Sequence, residues 1–392
     1  MNQRYYSLDV FRGATVALMI MVNNPGSWEH VFSPLDHANW HGCTPTDLVF
    51  PFFLFAVGNA LSFVMPRFEQ KGTAFFFQKV IKRTLLIFLI GLLLNWSPFI
   101  MYNTKGELIF KAWSFLNSNG SYSGVRVMGV LQRIALCYGF AAVIIYFFKT
   151  KGAFVISGSL LLVYWMLCLL LGNKMDPYSL SGWFGTDFDI RIFGVNHVYK
   201  GEGVAFDPEG LASTLAAIVQ VIFGFFVGQY IQQKGKTYEM LANLFVIGII
   251  LVFAGYCWDM VFPINKKIWT SSYTIYTTGL AIITIAVFIF LIEFHSKRGA
   301  WSKFFDVFGK NPLFIFVLSG FLPRVLALIR IPNGVINNKS VFVSPFGWLY
   351  EHLFKNASSD LRVGSLLYAI ALILFYWLIV YVMDKKKIYI KV

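Results

Sequence analysis

Charge is what this sequence has least of. Only 13% of its 392 residues are charged, against roughly 25% in a typical soluble chain. Cysteine is also sparse. The four (Cys43, Cys137, Cys168, Cys257) are scattered, three lie inside apolar runs, and no C-x-x-C pair occurs. That excludes a disulfide framework and a zinc knuckle. No cleavable leader is evident, because Arg12 interrupts the first apolar run and no small-residue cleavage site follows it. Lys and Arg are absent from Pro25 to Pro45. No soluble domain, linker or low-complexity tail stands out, and no inverted repeat is obvious.

What is present is apolar. The chain is 57% hydrophobic with 42 Phe, and runs near the length needed to cross a bilayer recur throughout. A net charge of +14 would suggest nucleic acid in a soluble protein. Here it fits short cytoplasmic loops and anionic lipid, and no nucleic-acid partner is expected. The fold expected is all-α: one polytopic membrane domain over 1–392 with about ten transmembrane helices. They are drawn at about Leu8–Val22, Asp47–Met65, Thr84–Trp96, Val127–Phe148, Ala153–Leu171, Leu211–Ile231, Leu241–Trp258, Tyr273–Ile292, Leu313–Ile329 and Val363–Met383. An even count puts both termini on one side, which the basic loops make the cytoplasm. The extracytoplasmic loops are then about 23–46, 97–125, 172–210, 259–270 and 330–362.

The first of those loops carries the most chemistry. Asn23 to Gly58 reads NNPGSWEHVFSPLDHANWHGCTPTDLVFPFFLFAVG, with three histidines between two apolar runs. A histidine can act as base or nucleophile near neutral pH, and its second ring nitrogen needs an orienting partner. For His37 that partner is Asp47 at the start of the second span, or the adjacent Asp36. Asn23 or Asn24 can donate to a developing oxyanion. His30 reads as surface. His37 and His41 have the i, i+4 spacing of a zinc pair only if the segment is helical, and Asn39, Trp40 and Gly42 argue for an irregular loop, so no metal is expected. Trp40 suits packing or sugar stacking. Two arginines lie in apolar runs. Arg12 either pairs with Asp9 three residues earlier or meets an anion, and Arg133 faces either a carboxylate or a cavity.

The strings RYYSLDVFRG, VNNPGSW, LDHANWHGCTPTDLVFPFFLFAVG, GVLQRIALCYG, DPEGLASTLAAIVQ, FPINKKIWTSSY and GKNPL resemble the heparan-α-glucosaminide N-acetyltransferase family. They extend from Arg4 to Leu313. The resemblance implies a multispan enzyme that takes acetyl from cytosolic acetyl-CoA and delivers it to a glucosamine amine across the membrane. It implies that His37, in H-A-x-W-x-G, is the active histidine, that Asp47 is the aspartate of D-L-V-F-P, and that Asn23, with Asn24 beside it, is the family asparagine. His41 takes no role from it. The luminal amino-terminal portion of the lysosomal relatives has no counterpart here, so the expected location is a bacterial cytoplasmic (inner) membrane. Transfer is either direct or through an acetyl-imidazole on His37. The phosphates of CoA are expected near Lys79, Lys82, Arg83, Lys310 and Asn311, with Arg12 and Arg133 lining the route of the pantetheine arm. Partners are membrane lipid and an amino-sugar or glycan acceptor, with a homodimer as candidate assembly. Two rival readings stay open: an O-acetyltransferase of envelope polysaccharide or peptidoglycan, and a sugar or ion transporter using Asp9, Arg12, Arg133 and Asp259.

Overall fold

A computed structural model of the chain describes residues 5–103, 105–117, 120–336 and 339–390. Arg4, where the resemblance begins, and parts of the expected loops 97–125 and 330–362 lie outside the described residues. The chain is helical: α1 (Tyr6–Asn23), α2 (Val49–Lys71), α3 (Thr73–Trp96), α4 (Val130–Leu171), α5 (Phe184–Phe193), α6 (Leu211–Lys234), α7 (Tyr238–Asp259), α8 (Ser271–Ile289), α9 (Ala300–Lys310), α10 (Pro312–Leu326), α11 (Pro345–Leu349) and α12 (Leu361–Lys385). The long connections are not plain coil. Antiparallel hairpins β1 (Ile100–Tyr102) with β2 (Leu108–Phe110), β3 (Ser114–Leu116) with β4 (Tyr122–Gly124), and β5 (Ile331–Ile336) with β6 (Lys339–Val343) fold within two of them.

Local chemistry sets the helix ends. Thr237 and Thr270 cap α7 and α8 by accepting from Met240 N (3.1 Å) and Tyr273 N (3.3 Å). α2 stops at Gly72, whose φ of 83° is left-handed. Between helices, small residues set the spacing. α2 meets α6 at Gly58 and Gly224, where an added Cβ would run into the carbonyls of Val221 and Phe55 respectively. α1 meets α9 in the same way at Gly13 and Gly309, against the carbonyls of Phe305 and Asp9. Such backbone-to-backbone approach is how apolar helices gain contact where lipid offers no hydrophobic drive.

The expectation of about ten spans is corrected. Among the described residues six helices are long and apolar enough to cross a membrane, or up to seven if a bent pair counts as one. The six run over Pro45–Lys71, Val130–Leu171, Leu211–Lys234, Tyr238–Asp259, Ser271–Phe294 and Leu361–Lys385. The spans drawn at Val127–Phe148 and Ala153–Leu171 are two limbs of α4 that fold back on each other at Lys149, where φ is 54°, so that Arg133 on the first limb lies over Trp269 while Tyr164 on the second bonds the Ile268 carbonyl. The span drawn at Leu313–Ile329 is α10, bent 80° from α9 across Asn311. α3 begins at Thr73 and carries Lys79, Lys82 and Arg83 in its first half, and the short α1 carries Asp9 and Arg12. The three cations keep α3 out of the count, and the two charges and polar ends of α1 dilute its apolar run too far. An even-number argument therefore no longer sets the sides. The segments around Tyr6 and Tyr389 do meet, because Tyr6, Asp9, Arg12, Lys310 and Tyr389 line one cavity.

The glycine crossings make a stability prediction. Gly224→Ala should cost about 1–3 kcal/mol by forcing α6 off α2, seen as a lower unfolding temperature in detergent. Gly158→Ala, on α4 with open space around it, should leave that temperature unchanged or raise it slightly. Equal effects of the two would show that the crossing does not limit packing.

Candidate active site

The site starts from a helix entrance. Thr44-Pro45-Thr46-Asp47 forms a tight turn that leads into α2. Asp47 reaches back and accepts from Thr44 N (3.0 Å) and Thr44 Oγ1 (3.1 Å) through Oδ2, a reciprocal helix-start arrangement. The same Oδ2 accepts from Ala38 N at 3.1 Å. These bonds fold the histidine-bearing segment back onto the start of α2. Asp47 Oδ1 then meets His37 Nδ1 at 2.7 Å. The carboxylate is 1% exposed while the His37 side chain is 36% exposed. The orienting group is thus buried and the ring it holds is open to the outside. The neighbouring Asp36 accepts from the backbone N of His37 (2.8 Å).

A third group arrives from far along the chain. Lys266 Nζ lies 2.9 Å from His37 Nδ1, 3.2 Å from Nε2 and 3.5 Å from Asp47 Oδ1. It comes from the turn between α7 and α8. A short parallel bridge pairs Gly42 with Asn265, and Gly42 N donates to Ile264 O at 2.7 Å. Gly42 has φ 102°, open to glycine at little cost. Tyr273, in the first turn of α8, donates to the Asp47 carbonyl at 2.5 Å. Burial lowers the pKa of Lys266, against the pull of Asp47 and Glu209. Burial also pushes the Cys43 thiol up to about 12, so it stays protonated and is not a nucleophile here.

The connection between α4 and α6 packs beside this centre. Trp40 Nε1 donates to Tyr178 O at 2.8 Å and its ring lies 5.6 Å from that of Phe206. Lys267 donates to Asn39 O (2.8 Å) and pairs with Glu202 (2.6 Å). Arg126 locks the end of the connection by pairing with Asp207 through two bonds, of 2.9 and 2.5 Å, and with Glu209.

The other sequence-derived residues fall in different places. Asn24 donates back to Ile20 O on α1 (2.9 Å). Asn23 is exposed at the end of α1, and among the described residues neither asparagine bonds the His37 ring. His41 lies near Asn265 (3.4 Å), and burial lowers its pKa. Among the described residues no group of three His, Cys, Asp or Glu side chains could hold a metal ion. Arg12, Arg83 and Lys310 line a single cavity of about 340 Å3 with Met19, Phe53 and Leu131. Arg12 bonds Asp9 and the Gly309 carbonyl, each at 2.8 Å. Arg83 Nε has no hydrogen-bond partner among the described residues. Lys79 and Lys82 are exposed on α3 and do not line that cavity. Arg133 is fully buried elsewhere, bonding the Gly210 carbonyl (3.0 Å) and Ser213 at the start of α6 and lying over the Trp269 ring. Asn311 ties down the carboxyl-terminal segment, donating to Ile388 O (3.0 Å) and accepting from Ile390 N (2.8 Å).

Residues 4–188, which include the His37–Asp47 pair, match the family model described as heparan-alpha-glucosaminide N-acetyltransferase, catalytic. The likeness to this family model covers just under half of the chain. The mouse heparan-alpha-glucosaminide N-acetyltransferase is 25% identical over 446 residues, covering 99% of this chain and 60% of the mouse protein. The human protein of the same name is 26% identical over 369 residues, covering 80% of this chain and 52% of its own length. The chain thus spans little more than half the length of these curated relatives.

Lys266 is the residue that sequence reasoning passed over. It sits in FPINKKIW, a string seen as part of the resemblance, but nothing local marks which lysine turns inward. The outer wall makes its own prediction. Trp40→Ala should free the α4–α6 connection, so limited proteolysis cuts faster within 173–183 while helical circular dichroism is unchanged. An unaltered cleavage rate would mean that Trp40 does not hold that wall.

Proposed function

We propose that the chain is a membrane acetyltransferase that moves acetyl from acetyl-CoA to the amine of a glucosamine-type sugar. The observation that carries this reading is the open His37 ring held by the buried Asp47 carboxylate. A histidine so oriented presents Nε2 as a base or nucleophile, the role expected of it from the family resemblance. His37 and Asp47 are the residues to which the reading gives the chemistry. Nothing in the geometry favours an O-acetyl acceptor or a transport cycle.

The donor fits at the other end of α1. Arg12, Arg83 and Lys310 place three cations around one cavity whose remaining walls are largely apolar, and the unpartnered Nε of Arg83 suits a phosphate oxygen. Two adjoining cavities of about 380 and 590 Å3 share Arg12. The apolar cavity includes Met19 of α1, and the cleft beside His37 includes Met21 and Val22 of the same helix. At about 1.5 Å per residue, Arg12 and Val22 are roughly 15 Å apart along the axis. In this reading α1 is the rail along which the pantetheine arm lies, and the glycan meets the thioester beside His37 and Trp40. Lys79, Lys82, Arg133 and Asn311 hold no donor in it, because their side chains lie outside this cavity or are committed elsewhere. Asn23 and Asn24 remain near the mouth of the cleft at the end of α1.

The test uses purified full-length protein, labelled acetyl-CoA and glucosamine. His37→Ala should abolish transfer while CoA binding persists. Asp47→Asn should lower kcat by about 10²–10⁴-fold. Arg83→Gln and Lys310→Gln should each weaken CoA binding about 10- to 100-fold by calorimetry and leave the apparent KM for glucosamine alone. Full activity of His37→Ala would sink the assignment of the chemistry, and unchanged CoA affinity in both cation variants would sink that of the donor cavity.

A further inference from the structure

The contact with Asp47 fixes the proton on His37. Nδ1 lies 2.7 Å from a carboxylate oxygen, so it carries the hydrogen and Nε2 keeps its lone pair. Lys266 crowds the same ring. Its Nζ lies 2.9 Å from Nδ1 and 3.2 Å from Nε2, distances that set the ammonium against the ring rather than in line with the Nε2 lone pair. The ammonium thus sits beside Nε2 while leaving its lone pair free to receive the substrate's proton. An amine that takes its place on Nε2 brings the carbonyl it attacks alongside Nζ. The lysine stays close, since Asp47 holds it at 3.5 Å and its side chain is only 21% exposed.

We infer that Lys266 is a catalytic residue whose ammonium donates a hydrogen bond to the thioester oxygen as negative charge develops on it. The inference rests on the acetyl-transfer reading above. The sugar amine's lone pair forms a bond to the thioester carbon, and the C=O π pair moves onto oxygen, where Lys266 meets it. His37 Nε2 takes the proton from the new N–C nitrogen. C=O then re-forms, the C–S bond breaks with its electron pair on sulfur, and the His37 proton passes to that sulfur. The products are the acetamide and the thiol of CoA, and Lys266 keeps its proton throughout. The lysine thus supplies a donor of the kind that a tetrahedral intermediate requires.

The role has a signature in pH. The donor must be charged, so activity is present below the lysine's pKa and is lost as pH rises through it. Burial lowers that pKa, while Asp47 and Glu209 oppose the shift. The charged and titratable groups facing it are His37, Asp47 and Cys43 from the segment before α2, Glu209 from the approach to α6, and Lys267 from its own turn. The Cys43 thiol titrates at about 12, clear of the window.

The experiment compares wild type, Lys266→Met and Lys266→Arg as full chains, with labelled acetyl-CoA and glucosamine from pH 6 to about pH 10, together with melting curves and CoA calorimetry. Lys266→Met should lower kcat about 10²–10³-fold, with CoA affinity and KM unchanged. Lys266→Arg should recover part of kcat and lose the alkaline fall seen in wild type, because a guanidinium stays charged there. Wild-type kcat in Lys266→Met, or the same alkaline fall in Lys266→Arg, overturns the inference and leaves the acetyl-transfer reading standing. Absence of acetyl transfer by wild type overturns that reading and the inference with it. If Lys266→Met does not fold, the alkaline limb of Lys266→Arg decides alone.

Discussion

The buried carboxylate of Asp47 holds together segments that would otherwise have no reason to meet. A carboxylate with 1% exposure is costly unless every lone pair is used. Asp47 uses them on Thr44, Ala38, His37 and the nearby Lys266, spread over a helix entrance, an irregular loop and a turn more than two hundred residues away. Each tie solves a local problem. Thr44 starts α2, Ala38 folds the loop, and Lys266 balances the charge. The orientation of the His37 ring follows from these, because Nδ1 reaches the one carboxylate oxygen that the backbone donors leave to side chains.

Around that centre the helices pack by shape more than by polar bonds. The glycines of α2 and α6, and of α1 and α9, let backbones touch, so the frame is set by small residues rather than by charges. Charges appear where they have partners or open space. Arg133 bonds the start of α6, Arg126 closes the α4–α6 connection on Asp207 and Glu209, and Arg12, Arg83 and Lys310 face one cavity. A buried or half-buried arginine is thus two different things in this molecule. Arg133 serves the fold, and Arg12 lines open space.

Much of this was legible in the sequence. The apolar runs located most of the helices, because side-chain hydropathy is a local property. The pairing of His37 with Asp47 was legible because both residues sit in one short polar stretch beside a helix-start signal. The number of spans was not. The turn at Lys149 is present, a single non-helical residue at which α4 folds back, whereas the 80° bend between α9 and α10 has no local signal. The basic stretch before Thr84 looks like a loop but is the first half of α3, since long lysine side chains are compatible with a helix surface. Lys266 was invisible because its inward turn depends on the Gly42–Asn265 bridge, a contact between distant segments that no window of sequence contains. Arg133, Lys79, Lys82 and Asn311 were grouped with the donor by charge or position alone, and only three dimensions separate them from Arg12, Arg83 and Lys310.

The unbroken course of α1 carries one more consequence. One face of this helix borders the basic cavity and its far end borders the cleft of the histidine, while Gly13 locks its backbone against α9. The basic cavity and the histidine cleft therefore share one helix as a wall, seated on α9 through Gly13 and tied just past its far end by the Ser27–Ser365 bonds.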